Sequence, residues 1–196
     1  MNVSAVLTMP VITVVLLISS CSGFVTSHSV KDTSLTEDTA KEIVVELMPV
    51  ADKFYAIYNR CSLMADGSVL VKDANGFMYS PVISIYDSVA SLKEDTERYF
   101  TKQFAESSFY IHLEDQSAFY KDIDGKLYKN VDAESVGKSN WHLEQCMVSE
   151  LSNKGFTATV PYSDAYEVRH VAKIDFLFCD GDYKINGWEM NLEDMR

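Results

Sequence analysis

From Thr36 onward apolar side chains fall at Val44, Leu47, Met48, Ala51, Phe54, Tyr55 and Tyr58, the three- and four-residue spacing that lays one stripe along a helix. Thr36 and Asp38 are both good N-caps, and Glu37 and Glu42 suit a helix start, so the pattern predicts a helix over Thr36 to Arg60. Pro49 falls inside it and predicts a kink or two successive helices. Between Cys61 and Ser88 short β-branched runs alternate with turn signals at Asp66-Gly67 and Asn75-Gly76, which reads as a hairpin or folded loop. Ser91 and Glu94 have capping-box spacing, predicting a helix from about Ser88 to Phe100, and Thr101 opens a shorter one through Phe104 and Phe109.

The period then changes. Ser117 to Tyr128, Trp141 to Leu151, Phe156 to Tyr162, Tyr166 to Cys179 and Tyr183 to Met190 read as strands. In the fourth run His170, Ala172, Ile174, Phe176 and Phe178 share one face, with Arg169, Lys173 and Asp175 opposite. Turns are expected at Asp124-Gly125, Asn153-Lys154-Gly155, Ser163-Asp164 and Asp180-Gly181-Asp182. Helices first and an antiparallel meander last predict an α+β fold: N-terminal helices packed on a curved antiparallel sheet, a cystatin-like or nuclear-transport-factor-like roll. Aromatic residues make up 12% of the chain, and Phe54, Tyr58, Phe100, Phe109 and Phe176 are expected in its core.

Ahead of this domain the pattern is different again. Val11 to Ile18 is an apolar run, and no charged side chain precedes Lys31, which reads as an export signal too short to span a bilayer comfortably. Ile18-Ser19-Ser20-Cys21 resembles a bacterial lipoprotein box, which implies cleavage before Cys21 and acylation, palmitate included, of that residue. The expected organisation is a signal peptide over 1–20, a Ser/Thr-rich tether over 21–35 and one domain over 36–196. The expected location is the extracytoplasmic face of the cell membrane, with the acyl anchor at Cys21 as the membrane link.

The net charge of −12 lies wholly in the part after the signal. It opposes binding to nucleic acid and any polybasic hold on anionic lipid. Three further cysteines, Cys61, Cys146 and Cys179, allow one bridge or none, and Cys146 and Cys179 sit in strand-like runs that could face each other. Cys146, His142, His170 and Asp175 supply the residue types of a cysteine peptidase. However, Cys146 lies in a strand-like run with no helix N-terminus to lower its thiol pKa, so a buried structural cysteine and surface histidines are expected. His28, His112, His142 and His170 lack paired ligand spacing; no metal or other cofactor is expected.

One segment has a more specific look. A helix ending in FYAIYNR is followed by Tyr79-x-Pro81-Val82, by Ser88-Val-Ala-Ser-Leu-Lys93 before Tyr99-Phe100-Thr101, and by Phe119-Tyr-Lys-Asp-Ile-Asp-Gly-Lys-Leu-Tyr128. Over roughly Glu42 to Trp188 this order resembles the IseA-type family of secreted DL-endopeptidase inhibitors. The resemblance implies a non-catalytic protein, not an enzyme, that binds a cell-wall peptidase of NlpC type through an acidic loop between strands. The matching segment here is KNVDAESVGKSN, Lys129 to Asn140, with Asp132 and Glu134 as its acids and Val131 and Val136 as its apolar contacts. The alternative from architecture alone is a cone-shaped lipoprotein holding a small ligand in its mouth. A filled core with an exposed acidic loop separates the first reading from the second, which needs a deep pocket with convergent polar groups.

Overall fold

A computed structural model describes residues 35–133 and 138–192. Cys21, the signal and nearly all of the tether lie outside that range, as do Glu134 and Val136.

Helix α1 spans Glu37–Arg60, capped by Thr36, whose Oγ1 accepts the Thr39 amide at 3.2 Å. It is one helix through Pro49, which removes the alternative of two successive helices. The carbonyl that proline leaves unpaired belongs to Val45, and Val45 and Pro49 both lie on the exposed face. Water can take that carbonyl, so the missing bond costs little. The opposite stripe, with Val44, Met48, Ala51, Phe54 and Tyr58, is fully buried, as its periodicity requires.

Helix α2, Val89–Tyr99, with Ser88 and Phe100 as its caps, occupies the expected span. Its box is Ser88 with Ser91, each hydroxyl accepting the other's amide at 3.1 Å, and not Ser91 with Glu94. Asp122 reinforces this start by accepting the Val89 amide at 2.8 Å, a partner 33 residues away. Helix α3 covers Lys102–Ser108 and α4 Ile111–Glu114.

Strands β1 (Val71–Lys72), β2 (Met78–Pro81), β3 (Tyr120–Ile123) and β4 (Lys126–Asn130) form a small antiparallel sheet in the order β1-β2-β4-β3. The β3–β4 turn has Asp124 and Gly125 both at positive φ, 49° and 74°, the backbone of a tight two-residue hairpin. The larger sheet contains β5 (Asn140–Trp141), β6 (Met147–Ser152), β7 (Gly155–Ser163), β8 (Arg169–Cys179) and β9 (Asp182–Leu192). Strand β7 pairs on one edge with β5 and β6 and on the other with β8, which pairs with β9. The expected Trp141-to-Leu151 strand is thus split by a 3-10 turn at Leu143–Gln145, and Cys146 closes that turn instead of lying within a strand.

The architecture is α+β, with helices on curled antiparallel sheets that form a half-barrel. Irregular register between Val171/Lys173 and between Asp175/Phe176 marks where the β8–β9 ladder bends. The free edge of β9 is closed by the helices: Thr101 donates its amide to the Ile185 carbonyl at 2.9 Å. Inside, Tyr58 stacks on Phe109 with centroids 4.9 Å apart, Phe100 meets Phe54 and Phe109 edge-on, and Phe156 stacks on Phe176 at 4.6 Å. Ala172, Ile174 and Phe176 are buried on the face that alternation assigned to them.

Candidate functional site

Two surfaces gather unusual side chains. The first belongs to the small sheet. At the Met78 end of β2, the Val131 amide donates to the Met78 carbonyl, and Asp132 Oδ2 accepts the Met78 amide at 3.1 Å. Val131 is exposed, while the Asp132 carboxylate already holds the strand start in place. Of the segment's four expected contact residues, these two are described; Glu134 and Val136 lie outside the described residues.

At the other end of β2, Ala65 bridges Val82, and the Ile83 amide donates to the Met64 carbonyl at 2.9 Å. Here Met64, Ile83 and Ile85 are 73%, 61% and 81% exposed, and Val69 and Leu70 beside β1 are also exposed. Sequence reading passed over these residues because a hairpin of β-branched residues looks the same whether its apolar side chains face a core or water. The backbone beneath them is pinned by polar side chains. Lys121 Nζ reaches Asp73 Oδ2 at 2.6 Å and lies 4.0 Å from the centroid of the Tyr79 ring, and Ser80 Oγ accepts the Gly67 amide at 2.9 Å. The Lys121 hydrogen bond, aided by the Phe77 and Asn75 amides, holds the Asp73 carboxyl below the usual carboxylate range.

The second surface is the mouth of the half-barrel, where the C-terminal end of α1 faces the ends of β7 and β9. It is a half-open groove of about 550 Å³, lined by Tyr55, Asn59, Arg60, Tyr162, Tyr166 and Met190. A chain of rings supports it. Tyr55 stacks on Trp188, Trp188 meets Trp141 edge-on, Trp141 packs on Tyr162, and Tyr162 stacks on His170. Trp141 Nε1 donates to Asp52 at 3.0 Å. The turn carrying Tyr166 is fixed by Asp164, which accepts the Tyr166 and Val168 amides and lies 3.1 Å from His170 Nε2. An ionised carboxylate only accepts, so the ring nitrogen donates, and this bond lowers the Asp164 pKa most, ahead of the two amides.

No protein-family model matches the chain, and no curated protein matches it.

The residues of the cysteine-peptidase pattern go to separate places. His170 belongs to the mouth, while Asp175, on the opposite face of β8, accepts from Thr157 Oγ1 at 2.8 Å. Cys146 is buried, and Cys61, Cys146 and Cys179 are all free thiols, so the suggested Cys146–Cys179 pairing is not made. Burial pushes all three thiols up, the reverse of what activates a nucleophile. The Cys61 thiol points toward the Phe119 and Asn130 carbonyls, at 3.7 and 3.8 Å, as a link between α1 and the small sheet.

A serine–imidazole pair that sequence reading missed lies beside the mouth, with His142 Nε2 3.0 Å from Ser163 Oγ. Only the β5–β7 register reveals it, since 21 residues separate the two. The Glu144 carboxylate oxygen is 3.9 Å from Nδ1 and accepts instead from the Gln145 side-chain Nε2 at 3.0 Å. The orienting hydrogen bond of a catalytic triad is not formed there. Among the described residues no three potential metal ligands cluster, and no helix is long and apolar enough to cross a membrane.

Proposed function

We propose that this is a lipid-anchored extracytoplasmic protein that binds and restrains a cell-wall DL-endopeptidase of NlpC type, without hydrolytic activity of its own. The observation that carries this reading is the apolar group Met64, Ile83 and Ile85, exposed on the segments that run on from the small sheet and are tied to each other by the Ala65–Val82 bridge and the Ile83–Met64 hydrogen bond. Exposed aliphatic side chains concentrated on a fixed backbone suit burial against a protein partner. Val131 and Asp132 lie at the other end of the same strand, about 17 Å away at 3.3 Å per residue. Both ends fit within one footprint of about 800 Å² per partner. The resemblance of Phe119 to Tyr128 and its preceding helix to the inhibitor family directs the choice of partner.

The acyl anchor at Cys21 would keep the domain beside its target, and a net charge of −12 suits attraction to a basic wall enzyme. The test is peptidoglycan digestion by a purified NlpC-type enzyme, with and without the mature domain. Slower digestion that recovers as salt rises supports the reading, because exposed charges are screened beyond about 10 Å at 0.1 M. An unchanged rate at stoichiometric excess removes it. The anchor has its own measurement: the wild-type protein is expected to take up labelled palmitate, and Cys21→Ala to lose the label.

A further inference from the structure

We infer that the mouth of the half-barrel is a binding site for a small carboxylate with an aromatic or otherwise apolar body, and that Arg60 is its anion clamp. This goes beyond the proposed inhibitory role and rests on different residues.

Arg60 is only 8% exposed, yet it lines the cavity. One Nη2 donor reaches Ser139 Oγ at 2.6 Å, and the guanidinium carbon sits 5.4 Å from the Tyr55 ring centroid. Among the described residues no carboxylate lies within ion-pairing distance of it, and Ser139 is its one hydrogen-bond partner. Arg60 borders the cavity, so an anion bound there would lie beside its side chain.

A charge so far withdrawn from water is costly unless an anion meets it. The stack on Tyr55 and the bond to Ser139 hold the planar fork in one orientation, the state that favours bidentate capture of a carboxylate. Lys138 adds a second positive charge on the rim. Among the described residues the one acidic group in the lining, Asp164, is occupied by His170 and two amides. Tyr55, Tyr162 and Met190 supply flat and apolar walls, and about 550 Å³ is in the range of small-ligand sites.

The two tryptophans of the chain, Trp141 and Trp188, both pack on rings of this wall, so intrinsic fluorescence reports on it. The mature domain is titrated with benzoate and with its neutral isostere benzamide. The expected result is a saturable change with benzoate, at least about tenfold weaker with benzamide and in Arg60→Gln, as loss of a hydrogen bond between charged groups implies. Arg60→Lys should fall between, keeping charge but losing the fork. Should Arg60→Gln fail to fold, exposed Ala165→Phe narrows the same cavity without touching the core and should also weaken benzoate. No saturation by benzoate, or equal responses to benzoate and benzamide, overturns the inference. None of these readouts involves a peptidase, so the inhibitory proposal stands or falls separately.

Discussion

The two sheets are built by different means. In the large one, strands of nine and eleven residues pair along nearly their whole length, and alternate side chains supply a buried face of Phe156, Ala158, Val160, Ala172, Ile174 and Phe176. The small sheet has strands of two to five residues, too short to be stable as a ladder alone. Single contacts hold it: Asp132 to the Met78 amide, Tyr120 Oη to the Leu63 amide, Tyr79 Oη to the Ala118 carbonyl, and Lys121 to Asp73. A sheet maintained by side chains from beneath and behind leaves its outer positions free of structural duty. The segments that run on from it carry the exposed Met64, Ile83 and Ile85, which is why the partner surface is proposed there.

The largest expected effect is in the long sheet. Phe176→Ala removes a ring that is 3% exposed and stacked on Phe156, and should cost about 3–5 kcal/mol in denaturant unfolding. A midpoint within error of wild type would refute the ring's place in the core. Gly155→Ala comes next, because a Cβ there would lie 2.2 Å from the Phe176 carbonyl oxygen at the β7–β8 start. The backbone must shift, for a loss of about 1–3 kcal/mol. Neither change should alter the apolar group on the small sheet except through global unfolding.

In the small sheet the effects should be smaller and local. Asp132→Ala leaves the Met78 amide without its acceptor and should cost about 0.5–1.5 kcal/mol, the scale of one hydrogen bond. Amide exchange at Met78 checks it, and charge reversal at Asp132 must be compared with this variant before any lost binding is credited to charge.

Asp73 gives the smallest effect and a pH signature. Its pKa is depressed in the folded chain, so its contribution is fully present above the unfolded value and disappears as pH falls through the lower folded one. Exchange at the Asn75 and Phe77 amides, which Asp73 accepts, should quicken in that acid window, while Lys121→Met should move the pH step upward, toward the ordinary carboxylate range, without removing it. Uniform acceleration across both sheets would contradict the local character claimed for this anchor.

The same contrast explains what was legible in the sequence. Strand β8 could be read position by position because its alternation is long and its partners are neighbours in the chain. The α1 stripe and the Asp124-Gly125 turn were equally plain, since each depends on residues within one element. What escaped depends on distant pairing. Arg60 and Ser139 are 79 residues apart, Asp132 and Met78 are 54, and Lys121 and Asp73 are 48. Arg60 therefore read as the last residue of a helix, and the mouth it lines had no local signature. Whether Pro49 splits the helix is likewise not local: it depends on whether the freed carbonyl meets water, which requires knowing the exposed face of α1.

The central proposal is that the small sheet and its adjoining segments meet a cell-wall peptidase. Peptidoglycan digestion by an NlpC-type DL-endopeptidase, measured with wild-type mature domain and with the double variant Ile83→Asp, Ile85→Asp, tests this directly. Both side chains are exposed, so the variant should keep the wild-type melting temperature. The expected result is inhibition by the wild-type domain and at least about tenfold weaker inhibition by the variant, since burying two aliphatic side chains at an interface contributes about 1.5–3 kcal/mol each. Equal inhibition by a folded variant, or none by wild type, would contradict the account.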